Sequence, residues 1–344
     1  MKKYFFTALK LIIFLGIGVF FIWLSVLKLG EEDKRQIFKS FSEANYWWLV
    51  LCLFLGLISH IIRSLRWEML LNTVGYSPRF INTFLSLMIG YFANLAVPRL
   101  GEISRCSMLY KYEKISFEKS FGTVVAERGL DMVTFVVLFF INLLIQYKAI
   151  AGFVYDKIYF PLSEKFGFIG KGYFLYGAIA LVVIFILFIF IFHSKLSKYK
   201  IYNRIVKIVK GFWDGLKSLA KVEKPILFIF YTVLMWVVYF TMTYICFYSL
   251  TVTSNPAITA VLSVFVMGTI AIMISPGGIG AYPAFVAATL TLYGIPTFIT
   301  PNTIGLSLGW LIWGAQTGII ILAGIISLII LPLINNSHEK LRNN

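Results

Sequence analysis

The chain has 344 residues, 59% of them hydrophobic and 13% charged, with a mean hydropathy of +0.85. A water-soluble domain carries roughly 25% charged residues, so a soluble enzyme domain is excluded. The net charge is +16, but the Lys and Arg residues lie between hydrophobic runs, where they set topology and meet anionic headgroups rather than form a nucleic-acid face.

Apolar runs of about 20 residues recur along the chain, each long enough to cross a hydrocarbon core of ~30 Å. In lipid the backbone must satisfy its own hydrogen bonds, so these runs are helices. The first, 9–27, follows Lys2, Lys3 and Lys10. It could be read as a signal peptide, but it is long and is followed by Lys28 and Glu31–Asp33 rather than a small-residue cleavage site, so it is expected to be a retained span. The linker 28–45 balances four basic against four acidic residues, which suits the outer side. The second span is 46–62, with Arg63, Arg66 and Trp67 at its inner end. Interfacial Arg beside Trp is either a topology anchor or a headgroup ligand.

The next hydrophobic stretch, 80–112, is interrupted at 94–101 by Asn94, Pro98, Arg99 and Gly101. Pro98 removes a backbone donor and Gly101 permits a non-helical turn. Helix ends freed in this way present N–H groups to an anion. Arg99 and Arg105 add guanidinium groups suited to phosphate, with Glu102 between them. The third span, 121–146, carries Glu127, Arg128 and Asp131. Glu127 and Asp131 lie one turn apart on one face, and Arg128 is spaced to pair with Asp131. Glu127 lies about 12 Å along the helix from Lys119, inside the membrane, where charge costs about 2.5–3.5 kcal/mol and marks a functional candidate.

A fourth span is expected at 172–192. The segment 193–224 then carries nine Lys and Arg residues against Asp214 and Glu223, so it is cytoplasmic. Ile201, Ile205, Ile208, Phe212, Leu216 and Leu219 recur within it at helical steps, the pattern of a basic amphipathic linker. A fifth span is 225–250. A second interrupted stretch, 257–294, breaks at Pro276-Gly277-Gly278-Ile279-Gly280, and a sixth span covers 303–332. Gln316 on that last span is a helix–helix hydrogen-bonding group.

The cytoplasmic 193–224 segment places both termini inside. The first broken stretch, flanked by Arg63, Arg66, Arg79, Lys111, Lys114 and Lys119, then enters and leaves from the cytoplasm, and the second, flanked by 254–256 and 296–302, from outside. The expected fold class is an all-α polytopic membrane protein of two inverted repeats, each with three transmembrane spans and a re-entrant hairpin. Its parts are 1–150, the first repeat; 151–224, a span and the basic linker; and 225–344, the remainder of the second repeat. Paired broken segments in inverted halves point to a transport site at the midplane. Cys52, Cys106 and Cys246, and His60, His193 and His338, are too scattered for a disulfide framework or a metal site, so neither metal nor cofactor is expected.

The ordered set Arg63-Ser-Leu-Arg66-Trp67, Asn94-x3-Pro98-Arg99-Leu-Gly101-Glu102-x2-Arg105, Glu127-Arg128-x2-Asp131 and Pro276-Gly-Gly-Ile-Gly280 resembles the flippase-like family, also called the lysylphosphatidylglycerol synthase transmembrane region. The resemblance covers nearly the whole chain. It implies a lipid-transport fold with two inverted re-entrant hairpins in the cytoplasmic (inner) membrane. It also implies a phospholipid or polyprenyl-phosphate-linked lipid as partner, anionic, aminoacylated or glycan-linked, and leaves a homodimer open. The soluble aminoacyl-transferase domain of full-length synthases is not expected, because the chain stops after Leu331-Pro-Leu with a short polar tail. The chain departs from the family where many members carry Glu three residues after the last glycine of the second break. Pro283 stands there, with Tyr282 beside it as a substitute binding group. Arg99 and Arg105 would hold a phosphate while Glu127, Arg128 and Asp131 line its path. No phosphate-binding Gly-x4-Gly-Lys-Ser/Thr loop is present, so transport would be passive or ion-coupled. The alternatives are an intramembrane transferase, with Glu127 or Asp131 as base, and a subunit or scaffold of an envelope-lipid or glycosyl-transfer pathway.

Overall fold

The computed structural model describes residues 29–97, 99–147, 222–293 and 303–343. The expected spans 9–27 and 172–192, and the basic linker up to residue 221, lie outside the described residues. All regular structure among the described residues is helical: α1 (Glu31–Ser42), α2 (Tyr46–Asn72), α3 (Phe80–Ala96), α4 (Leu100–Glu113), α5 (Phe117–Ile145), α6 (Pro225–Cys246), α7 (Ile258–Ile274), α8 (Ala281–Leu292) and α9 (Thr303–Asn343). Among the described residues, four segments are long and apolar enough to cross a membrane: Tyr46–Asn72, Phe117–Ile145, Pro225–Ser249 and Thr303–Asn335. The protein is an all-α polytopic membrane protein.

Two elements differ from expectation. The linker before the second span contains α1. Gly30 begins it, Asp33 accepts the Gly30 N–H at 2.8 Å, and Glu31, Glu32 and Asp33 favour the positive end of the helix dipole. The second span does not end at residue 62 but runs as one 27-residue helix to Asn72, carrying Arg63 and Arg66 inside the bundle. Their charges are compensated there, so the helix has no reason to stop where hydropathy falls.

Helices α3 and α4 form an antiparallel hairpin, as do α7 and α8. With 17, 14, 17 and 12 residues, these helices span ~25, 21, 25 and 18 Å, each short of a ~30 Å core. The first hairpin turns at Arg99, which adopts a left-handed conformation (φ 67°). It closes tightly because a Cβ on Gly101 would lie 2.0 Å from the Gly90 carbonyl oxygen. The second turns through Gly277, Gly278 and Gly280, all with positive φ.

Helix α9 packs against both hairpins. Along it, Gly309 meets Pro283, Trp313 Nε1 donates to the Gly277 carbonyl at 2.7 Å, Gly324 meets Phe92, and Asn335 bonds Asn82 and Arg79. The order is body and then tip of the second hairpin, followed by tip and then base of the first. The two tips also meet, since a Cβ on Gly277 would lie 3.2 Å from Leu95 Cδ2.

Residues 1–128 and 219–344 form one compact unit and residues 129–218 a second. The second, so far as it is described, is the remainder of α5, with Phe135, Phe139 and Phe140 in ring contact and Gln146 donating to Asn142 at 3.0 Å. The first holds two apolar cores. One joins α2, α6, α7, α8 and α9 around Met235, Cys246, Val264, Leu290 and Leu308. The other joins α2 to α5 around Trp67, Leu87, Cys106, Leu109 and Val124.

Candidate functional site

Helical spacing puts Arg63, Arg66 and Trp67 on one face of α2, three and four residues apart. That face turns into the first unit. Arg63 is 5% exposed, and Arg66 and Trp67 are fully buried. Helix α4 brings Arg105 to the same place, with its guanidinium carbon 4.5 Å from the Trp67 ring centroid, a cation–π arrangement. Helix α5 supplies Glu127, whose side chain has no solvent exposure.

All three arginines converge on Glu127. Arg63 Nε donates to Oε1 at 2.7 Å and Arg66 Nη2 to the same oxygen at 3.2 Å, while Arg105 Nη2 donates to Oε2 at 2.9 Å. Helix α6 adds to the shell, with Tyr239 hydroxyl 3.3 Å from Arg63 Nη1 and Thr232 hydroxyl 3.5 Å from Arg66 Nη1. Three guanidiniums share this one buried carboxylate. Among the described residues, Arg105 Nε and Nη1 have no hydrogen-bond partner. The same holds for the buried Tyr91 hydroxyl and His60 Nδ1, two residues whose rings lie 4.9 Å apart. The Arg63 guanidinium sits over the Tyr91 ring at 5.7 Å, so these open polar atoms border the cluster.

The hairpin turn is organised separately. Asn94 Oδ1 accepts the Gly101 N–H at 2.7 Å and so fastens α3 to the start of α4. Glu102 accepts from Arg128 at 3.0 Å, tying α4 to α5 one turn from the arginine cluster. Arg99, expected to share a phosphate with Arg105, is exposed at the turn, about 9 Å along the helix axis from a buried Arg105. Pro98 lies outside the described residues. Asp131 falls in the part of α5 that belongs to the second unit.

In the second hairpin, Pro276, Gly277, Gly278 and Gly280 form the turn that Trp313 holds. Tyr282 is 2% exposed, its ring against Gly268 and its hydroxyl facing Thr243 and Gln316, so it is a packing and helix-linking residue of the apolar core. Sequence reasoning did not single out Tyr239, Thr232, Tyr91 or His60. A lone hydroxyl or imidazole in an apolar run carries no spacing signal until a partner helix is known.

The family model described as the lysylphosphatidylglycerol synthase TM region matches residues 8–301. The chain belongs to this family. A UPF0104 membrane protein of Methanocaldococcus jannaschii is 28% identical over 83% of the chain and 86% of its own length. A second UPF0104 membrane protein, from Methanothermobacter thermautotrophicus, is 23% identical over 82% of the chain and 86% of its own length. No solved structure matches the chain. In this family member the first hairpin and the spans beside it carry Arg63, Arg66, Glu102, Arg105, Glu127 and Arg128, while the second hairpin's turn carries no charged residue.

Proposed function

We propose that the protein moves an anionic lipid across the cytoplasmic membrane in a flippase-like manner, with both termini in the cytoplasm. The observation that carries this reading is the buried Arg63–Arg66–Arg105 cluster on Glu127, in which Arg105 Nε and Nη1 have no hydrogen-bond partner among the described residues. Ionisable side chains buried inside a membrane protein are costly and mark a ligand or ion path by default. A phosphate accepts from guanidinium donors such as the open Nε and Nη1 of Arg105.

The placement of the hairpins along α9 supports a path between them. One is met body to tip and the other tip to base, as expected of broken helices entering from opposite faces in inverted repeats. The headgroup would meet the arginines beside the first hairpin while its tails stay in lipid. The family description, which ties this fold to a phospholipid-modifying enzyme, agrees with a lipid ligand.

Purified protein is reconstituted in liposomes carrying fluorescent phosphatidylglycerol, phosphatidic acid or phosphatidylcholine, and lipid movement is read by quencher accessibility. The anionic lipids are expected to cross faster than in protein-free vesicles, and Arg105→Gln to lose that gain. Movement no faster than in protein-free vesicles, or unchanged in the variant, removes the reading.

A further inference from the structure

We infer that the headgroup leaves the arginine cluster along the seam between α2 and α6, with Tyr91 and Trp236 as its next binding residues, and so reaches α7 of the second hairpin. This rests on the reading of the protein as a lipid transporter and assigns the route within it.

The arginines stand beside the first hairpin, so a route across needs polar groups between them and the second. Such groups are in place. The Tyr91 hydroxyl of α3 and Trp236 Nε1 of α6 are buried atoms with no hydrogen-bond partner among the described residues, as is His60 Nδ1 of α2. Buried Tyr O–H and Trp N–H groups ordinarily find a partner, so atoms left without one call for a ligand or water.

These groups follow one another. The Tyr91 ring lies 5.7 Å from the Arg63 guanidinium carbon and 4.9 Å from the His60 ring. Arg63 Nη1 donates to the Tyr239 hydroxyl at 3.3 Å, and Tyr91 is within electrostatic reach of Tyr239. The Trp236 ring is 6.1 Å from that of Tyr239 and 6.0 Å from that of Phe265, which belongs to α7. The series thus begins at Arg63 and ends on the second hairpin.

Helix α9 offers no such series. It contributes no buried side-chain polar atom without a partner among the described residues. Its Trp313 Nε1 is spent on the Gly277 carbonyl, and a Cβ on Gly309 or Gly324 would lie 2.5 Å from Pro283 or 2.4 Å from Phe92. That wall is closed by packing.

The donors also suit transit. Bonds from charged donors are about twice as strong as neutral ones, so the open Nε and Nη1 of Arg105 are fitted to capture a phosphate. A conducting path needs later sites that bind well enough to admit the ligand and weakly enough to release it. The phenol of Tyr91 and the indole of Trp236 are uncharged donors of that kind.

Two readouts on the full-length protein test the route. One is equilibrium binding of short-chain phosphatidylglycerol in non-ionic detergent. The other is movement of fluorescent phosphatidylglycerol in liposomes, expressed per molecule of protein that binds the lipid, so that misfolded protein is not counted. Tyr91→Phe and Trp236→Phe each delete one polar group and keep an aromatic ring. Both variants are expected to bind within about twofold of the parent and to move the lipid about tenfold more slowly. Movement at the parent rate in either variant overturns the route and leaves a transporter that uses another. Affinity that falls as far as the rate assigns the two groups to the arginine site and also overturns the route. No movement by the unaltered protein removes the transport reading itself, and the route with it.

Discussion

Glu127 is the residue on which the first unit depends most. Its two oxygens take donors from α2 and α4, and its backbone lies in α5, so one carboxylate ties three helices together. Removing one partner of a buried ion pair strands the other charge and costs about 3–5 kcal/mol. Glu127→Gln takes the shared carboxylate from three guanidiniums and is expected to cost at least that much. Arg105→Gln should cost less, because Glu127 keeps Arg63 and Arg66. Unfolding in detergent followed by circular dichroism measures both, and equal losses would mean that the carboxylate is not the hub. The membership of this cluster was legible in the sequence, as charges standing in hydrophobic company. Its pairing was not. Local spacing suggests that Arg128 pairs with Asp131, whereas the bond to Glu102 crosses between helices 26 residues apart in sequence, which only packing reveals.

At the scale of elements, the first hairpin is held by close backbone approach rather than by side-chain volume. A Cβ on Gly101 would come within 2.0 Å of the Gly90 oxygen and 2.6 Å of Asn94 Cγ. The neighbouring helix cannot yield without parting α3 from α4, so Gly101→Ala should destabilise the protein by about 3 kcal/mol. Gly122 in α5 has nothing within 4 Å of the corresponding Cβ, and Gly122→Ala should stay within about 1 kcal/mol of the parent, on the stabilising side. Thermal unfolding of both variants in one detergent makes the comparison. Similar losses would show that helix propensity, not contact, sets the cost. Both helix breaks were readable because Pro and Gly interrupt otherwise continuous apolar runs. The extension of α2 to Asn72 was not, because hydropathy sees only the cost of Arg63 and Arg66 and not the carboxylate that offsets it. Helix α1 was missed for a related reason: a short polar segment with balanced charge looks like a linker until its capping is traced.

For the whole molecule, the sequence-derived topology and the geometry along α9 bear on the same question by different routes. Positive charges around residues 79–119 and their absence around 254–256 suggest that the hairpins enter from opposite sides. Along α9, the contacts at Gly309 and Trp313 belong to the second hairpin and those at Gly324 and Asn335 to the first. From 309 to 335 the helix rises ~39 Å, about the thickness of a bilayer with its headgroups. Two hairpins that meet at their tips and divide that length between them are expected to have their bases at opposite ends. The base of the first is marked by the exposed Lys114, and the approach to the second by the exposed Ser254. Cys52, Cys106 and Cys246 are all buried, so cysteines introduced at these two positions should dominate labelling by a membrane-impermeant maleimide. In sealed vesicles of known orientation, Lys114→Cys is expected to react only from the cytoplasmic side and Ser254→Cys only from the other. Reaction of both from one side would place the two hairpins in the same leaflet, remove the continuous path between them, and leave the arginine cluster as a binding site without a route across the membrane.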